Sequence, residues 1–90
     1  MPTLHTANRT AQSGLMLIEA AICELLAVHP GLGNTDIARA LGLESYSEIK
    51  DGKATGENFL THGILKEMVR TNMLERSNDH HPRYSLNRAV

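Results

Sequence analysis

Between residues 58 and 70 the chain reads "NFLTHGILKEMVR", and residues 58, 59, 62, 66 and 70 recur at helical spacing. Phe59, His62, Lys66 and Arg70 would then share the side of a helix turned away from an apolar stripe of Leu60, Ile64, Leu65 and Met68, with Asn58 and Val69 flanking them. Their chemistry suits the major groove of duplex DNA. Asn pairs bidentately with adenine, Lys and Arg favour guanine, and Phe meets a thymine methyl. Base contacts concentrate at the N-terminal end of such a helix, which assigns bases to Asn58, Phe59 and His62. Lys66 is then shared between base and phosphate, Arg70 goes to the backbone, and Gly63 lets the two backbones come close. The plainer alternatives are that Phe59 packs under a loop, that His62 is an ordinary surface histidine, and that Lys66 and Arg70 solvate a face or pair with Glu67.

A second group, His80, His81 and Arg83, falls in the turn-rich stretch "SNDHHPR". His81 and Arg83 at a hairpin tip suit phosphate or minor-groove contact. His80, His81, Asp79 and His29 would be the nearest thing to a metal-ligand set, but no spacing fixes their geometry, so no metal is expected. Catalysis and cofactors are not expected either, because the chain has no P-loop, no dinucleotide-binding glycine pattern, no nucleophile elbow and no HExxH.

The totals bound these readings. Ninety residues suit one small domain. With 41% hydrophobic residues, two Tyr, one Phe and no Trp, the core must come from Leu, Ile, Ala, Met and Val, which favours helices. The single cysteine, Cys23, excludes an intrachain disulfide and fits a small buried hydrophobe. Net charge is only -1, but residues 58–90 hold Lys66, Arg70, Arg76, Arg83 and Arg88 against Glu67, Glu75 and Asp79. Such asymmetry fits one face turned to phosphate. The apolar run Leu15 to Val28 is interrupted by Glu19 and Glu24 and is shorter than the roughly 20 residues a bilayer needs, so no membrane segment is expected and the chain reads as cytoplasmic.

Several elements must position these groups. Residues 1–13 show no periodicity and read as a flexible arm. A first helix is expected from about Ser13, capped by Ser13 or Thr10 and closed by Pro30 and Gly31. It is apolar on nearly every side, which asks for burial within the domain or in a homodimer through this helix and the arm. "NTDIARALGL" predicts a short second helix capped by Asn34, with Ile37, Ala38 and Leu41 inward and Gly42 in the left-handed closing position. The segment "ESYSEIKDGKATGEN" reads as a long surface loop anchored by Tyr46 and Ile49. There Lys50 and Lys53 form a phosphate clamp, or the four acids around them make a merely solvated connection. The third helix spans about 57–71, with Thr55 as its cap and Asn72 as its terminator. A β-hairpin over about 74–87 follows, with "YSL" as its second strand.

Helix, helix, long loop, helix, hairpin is the layout of a winged helix. Residues 14–88 resemble that DNA-binding family through "NTDIARALGL", "ILKEMVRTNMLER" and "RYSLN". The same stretches are also similar to winged-helix modules fused to some restriction endonucleases, with Asn72 standing where glycine is usual and His62 where an aromatic is frequent. The resemblance implies a mainly α fold with a small hairpin: a three-helix winged helix-turn-helix whose second and third helices are joined by a long loop. It further implies double-stranded DNA binding through a recognition helix (about 57–71) and a wing (about 74–87), in a transcriptional regulator or the DNA-reading module of a restriction-type system. The alternative is a winged helix used for protein–protein contact, with Phe59, Val69 and the first helix as its patch.

Overall fold

The computed structural model describes residues 3–50, 53–56 and 58–87, with the backbone alone for the two strands within 46–56. Helix α1 covers Leu4–Val28, α2 Asn34–Ala40 and α3 Phe59–Arg70. Strands β1 (Tyr46–Lys50) and β2 (Lys53–Gly56) pair antiparallel, as do β3 (Leu74–Arg76) and β4 (Tyr84–Leu86). The fold is thus mainly helical with small antiparallel hairpins.

Helix α1 begins well before Ser13. Thr3 is its N-cap, accepting the Thr6 N–H at 3.1 Å, so the stretch expected to be a loose arm is continuous with the helix. The Thr10 hydroxyl donates to the Thr6 carbonyl within that helix instead of opening it. Once a helix is nucleated, each added residue gains a hydrogen bond at little cost, so polar residues extend it without an apolar stripe. Residues 3–13 are exposed throughout, and packing starts at Gly14 and Leu15. At 25 residues α1 is longer than the apolar run Leu15 to Val28 and would suffice to cross a membrane by length and composition only, a test that core helices also pass. Only its C-terminal half faces the core, through Ile22 and Leu26. Cys23 packs at the edge of that core, where burial and then the nearby Glu19 carboxylate push its thiol above the ordinary range. A thiol held protonated is a poor nucleophile at neutral pH.

The ends of α2 and α3 follow one pattern. Leu43 N–H reaches the Ala38 carbonyl at 2.8 Å and Gly42 N–H the Arg39 carbonyl at 3.2 Å, with Gly42 at φ +70°. Met73 N–H reaches Met68 at 2.8 Å and Asn72 N–H reaches Val69 at 3.0 Å, with Asn72 at φ +64°. Both are Schellman closures, as Gly42 and Asn72 in the sequence suggest. The starts differ from expectation. Gly33 occupies the N-cap of α2, with Asn34 already helical. The N-cap of α3 is Asn58, while Thr55 lies in β2.

The long loop between α2 and α3 is a β-hairpin. Ile49 faces Ala54 and Lys50 faces Lys53 in register, with an irregularity between Tyr46 and Glu48. Tyr, Ile and Thr favour strands, and the Asp51–Gly52 pair between the two runs is the dipeptide that two-residue hairpin turns prefer.

The core draws Ile22 and Leu26 from α1, Ile37 from α2, Ile64, Leu65 and Met68 from α3, and Leu74 and Tyr84 from the second hairpin. Ala38 is buried beside them, and Leu41 only packs at the margin. Leu60 is not among the core residues. It is 55% exposed, and fully buried Thr61 takes its place, so the inward set is 61, 64, 65 and 68. Leu32, just after α1, makes an isolated bridge to Tyr84: the Tyr84 N–H donates to the Leu32 carbonyl and the Gly31 N–H to the Tyr84 carbonyl, each at 2.9 Å, which ties the α1–α2 connection to the edge of β4.

Candidate nucleic-acid interface

With Thr61, Ile64, Leu65 and Met68 inward, the opposite side of α3 presents Phe59, His62, Gly63, Lys66 and Arg70, all exposed. Phe59 is 68% exposed, so it does not pack beneath the preceding connection. A Cβ added at Gly63 would meet open space, which leaves the backbone there approachable.

Asn58 does not join this face. It is 4% exposed, its side-chain oxygen accepts the Ser45 N–H at 2.9 Å, and its amide donates to the Thr35 hydroxyl at 3.4 Å. These contacts fasten the start of α3 to the first turn of α2 and to Ser45 beyond its end, so the Asn58 side chain is turned inward and not offered to a base edge. Its side chain does not cap α3 either, because the oxygen is committed to Ser45.

Arg70 is exposed but engaged. Its Nε donates to Glu67 Oε2 at 2.9 Å, and its second guanidinium nitrogen donates to Oε1 of the same carboxylate. That bidentate pair holds the Glu67 carboxyl below its ordinary range, chiefly through the hydrogen bond, and the Arg70 guanidinium above its own. Both groups are fully solvated, so salt screens the pair.

The second hairpin supplies the neighbouring cations. Beyond the paired strands, Ser77 N–H reaches the Arg83 carbonyl at 3.0 Å and Arg83 N–H reaches the Ser77 hydroxyl at 2.9 Å, which carries the ladder to a tip of Asn78 to Pro82. Asn87 clamps its base, donating from its side chain to the Asn72 carbonyl at 3.0 Å. His81 and Arg83 are exposed near the tip, and the His80 and His81 rings meet edge to face at 4.9 Å. Among the described residues, no group of three or more His, Cys, Asp or Glu could hold a metal ion.

Two hollows join helix to hairpin. One, of about 280 Å³, is lined by His62, Lys66, Val69, Arg76 and Tyr84. The other, of about 380 Å³, shares His62, Arg76 and Tyr84 and adds His81 together with the first turn of α2, including Asp36. The buried side-chain oxygen of Asn34, in the wall of this second hollow, has no hydrogen-bond partner among the described residues. His62 is thereby brought together with Lys66 in one hollow and with His81 in the other, whereas Phe59, Arg70 and Arg83 line neither. Lys50 and Lys53 are cross-strand partners at the end of the β1–β2 hairpin, and their side chains lie outside the described residues.

Arg76 is the member that sequence reasoning missed. It closes β3 two residues after buried Leu74, and strand alternation puts both on the side facing α3. A cation at that position in the first strand after a candidate recognition helix was the available signal. Comparison of the chain with protein-family models, curated proteins and solved structures finds no match.

Proposed function

We propose that the chain binds double-stranded DNA as a winged helix, with α3 in the major groove and the β3–β4 hairpin as the wing on the backbone. The Leu32–Tyr84 bridge supports this arrangement, since it adds a short third edge to the hairpin in front of α2 and α3. The observation that carries the reading is a pair of exposed cations, Lys66 on α3 and Arg76 on β3, that share a hollow with His62, while His62 and Arg76 also line the adjoining hollow with His81 and Asp36. Phe59 and His62 supply base-edge contacts, while Lys66, Arg76 and Arg83 neutralise phosphates. Arg70 joins them when phosphate displaces Glu67. A chain working this way serves as a transcriptional regulator or as the DNA-reading module of a restriction-type system.

A second reading, protein–protein contact, is favoured by the adjacent exposed pair Phe59 and Leu60, at 68% and 55%, in a chain of net charge -1. A gel shift with random-sequence duplex at low salt separates the two. DNA binding retards the duplex at micromolar protein and is weakened in Lys66→Ala/Arg76→Ala. No retardation by the unmodified chain favours the protein partner.

A further inference from the structure

Helix α1 leaves one long face uncovered. Its exposed positions include Arg9, Ser13, Met16, Leu17, Ala20 and Glu24, which recur at intervals of three and four and so form one stripe opposite Ile22 and Leu26. Met16 and Leu17, at 68% and 71% exposure, sit at the centre of this stripe. Arg9 is its only basic residue and Glu24 its only acidic one, near opposite ends, and neither makes an ion pair among the described residues.

We infer that this face docks against the same face of a second copy, with the two α1 helices antiparallel and a two-fold axis passing between Met16 and Leu17. In that register Met16 lies across from Leu17 of the other copy and Ser13 from Ala20. Arg9 meets Glu24 at each end of the contact. An isologous pairing makes every such contact twice. The small side chains at 13 and 20 let the helices approach closely beside the central Met–Leu contacts, and the ion pairs at the margins remain in water. Helix rise puts Arg9 and Glu24 about 22 Å apart along the axis, so the contact occupies most of the helix.

The accessible area of the chain is 6848 Å², above the roughly 5,200 Å² that a folded monomer of 9.9 kDa ordinarily exposes, and the uncovered face of α1 contributes to that excess. A bilayer is the competing cover for α1. It would take Glu19 and Glu24 into hydrocarbon and pull Ile22 and Leu26 out of the core, where they pack with α3 and the second hairpin. The inference stands apart from DNA binding and needs none of the residues assigned to it.

The test is sedimentation equilibrium on the whole chain, with charge reversals at the two ends and far-UV circular dichroism to check helix content. The unmodified chain is expected at twice 9.9 kDa. Arg9→Glu or Glu24→Arg alone should weaken association about tenfold, because two attractive contacts become repulsive in each case. The double variant, Arg9→Glu with Glu24→Arg, should recover it. A monomeric unmodified chain at high micromolar concentration overturns the inference. So does a double variant no better associated than the singles, or a monomer that floats with zwitterionic lipid vesicles.

Discussion

The Glu67 carboxylate holds Arg70 in two hydrogen bonds on the face assigned to DNA. A phosphate must compete with that carboxylate for the guanidinium. Replacing Glu67 by Gln removes a negative charge and frees Arg70, so Glu67→Gln is expected to tighten duplex binding severalfold at low salt, read by fluorescence anisotropy. Weaker binding would mean that Arg70 faces away from DNA. Because the Glu67 carboxyl is held below its ordinary range, it remains ionised as pH falls toward the usual carboxylate value. The pair is therefore fully formed at neutral pH and opens only as pH drops through that lowered value. Asn58 behaves differently, since its side chain is a structural tie. Asn58→Ala leaves the Ser45 N–H without its 2.9 Å acceptor and should cost about 1–3 kcal/mol in urea unfolding. Any loss of DNA affinity should vanish once the fraction folded is corrected for. A folded variant with specifically altered base preference would restore Asn58 as a reader.

At the scale of elements, the inward side of α3 is set by Thr61 as much as by its aliphatic neighbours. Leu65 is fully buried and Leu60 is 55% exposed. Leu65→Ala should cost about 2–5 kcal/mol of unfolding free energy, whereas Leu60→Ala should stay within about 0.5 kcal/mol. Equal losses would return Leu60 to the core. The sequence stripe of Leu60, Ile64, Leu65 and Met68 missed this small rotation because it counted only apolar types, and Thr61 fills a core site while its hydroxyl stays without a partner. What could be read directly were elements with local chemical stops: Gly42 and Asn72 each close a helix through positive φ, and Leu74 and Tyr84 begin paired strands. Two elements were hidden for physical reasons. The first turns of α1 bury nothing, so they carry no periodicity. The β1–β2 hairpin sits in a stretch whose four acids give it the composition of a surface loop, which masks the Asp51–Gly52 turn signal. Among the candidate site residues, the exposure of His62 and Lys66 on one side of α3 follows from helix geometry alone. The burial of Asn58 does not, because whether a polar residue at a helix start is offered or consumed depends on contacts with residues distant in sequence.

Over the whole molecule, two surfaces point away from the core: the cationic side of α3 with the β3–β4 hairpin, and the exposed face of α1. The radius of gyration is 14.9 Å, against about 12 Å for a compact chain of this length, as expected when structure projects beyond the core. If the first surface takes DNA and the second a copy of the chain, the paired copies together carry two reading helices. The claim on which this rests is that Lys66 and Arg76 neutralise phosphates together. The most direct test is the salt dependence of duplex binding, followed by anisotropy from low to moderate salt. Each phosphate contact contributes about -0.9 to the slope of log affinity against log salt, so Lys66→Ala/Arg76→Ala should make that slope shallower by about 2 per chain bound. A double variant with the slope of the unmodified chain, or no measurable binding by the unmodified chain at low salt, would contradict the account.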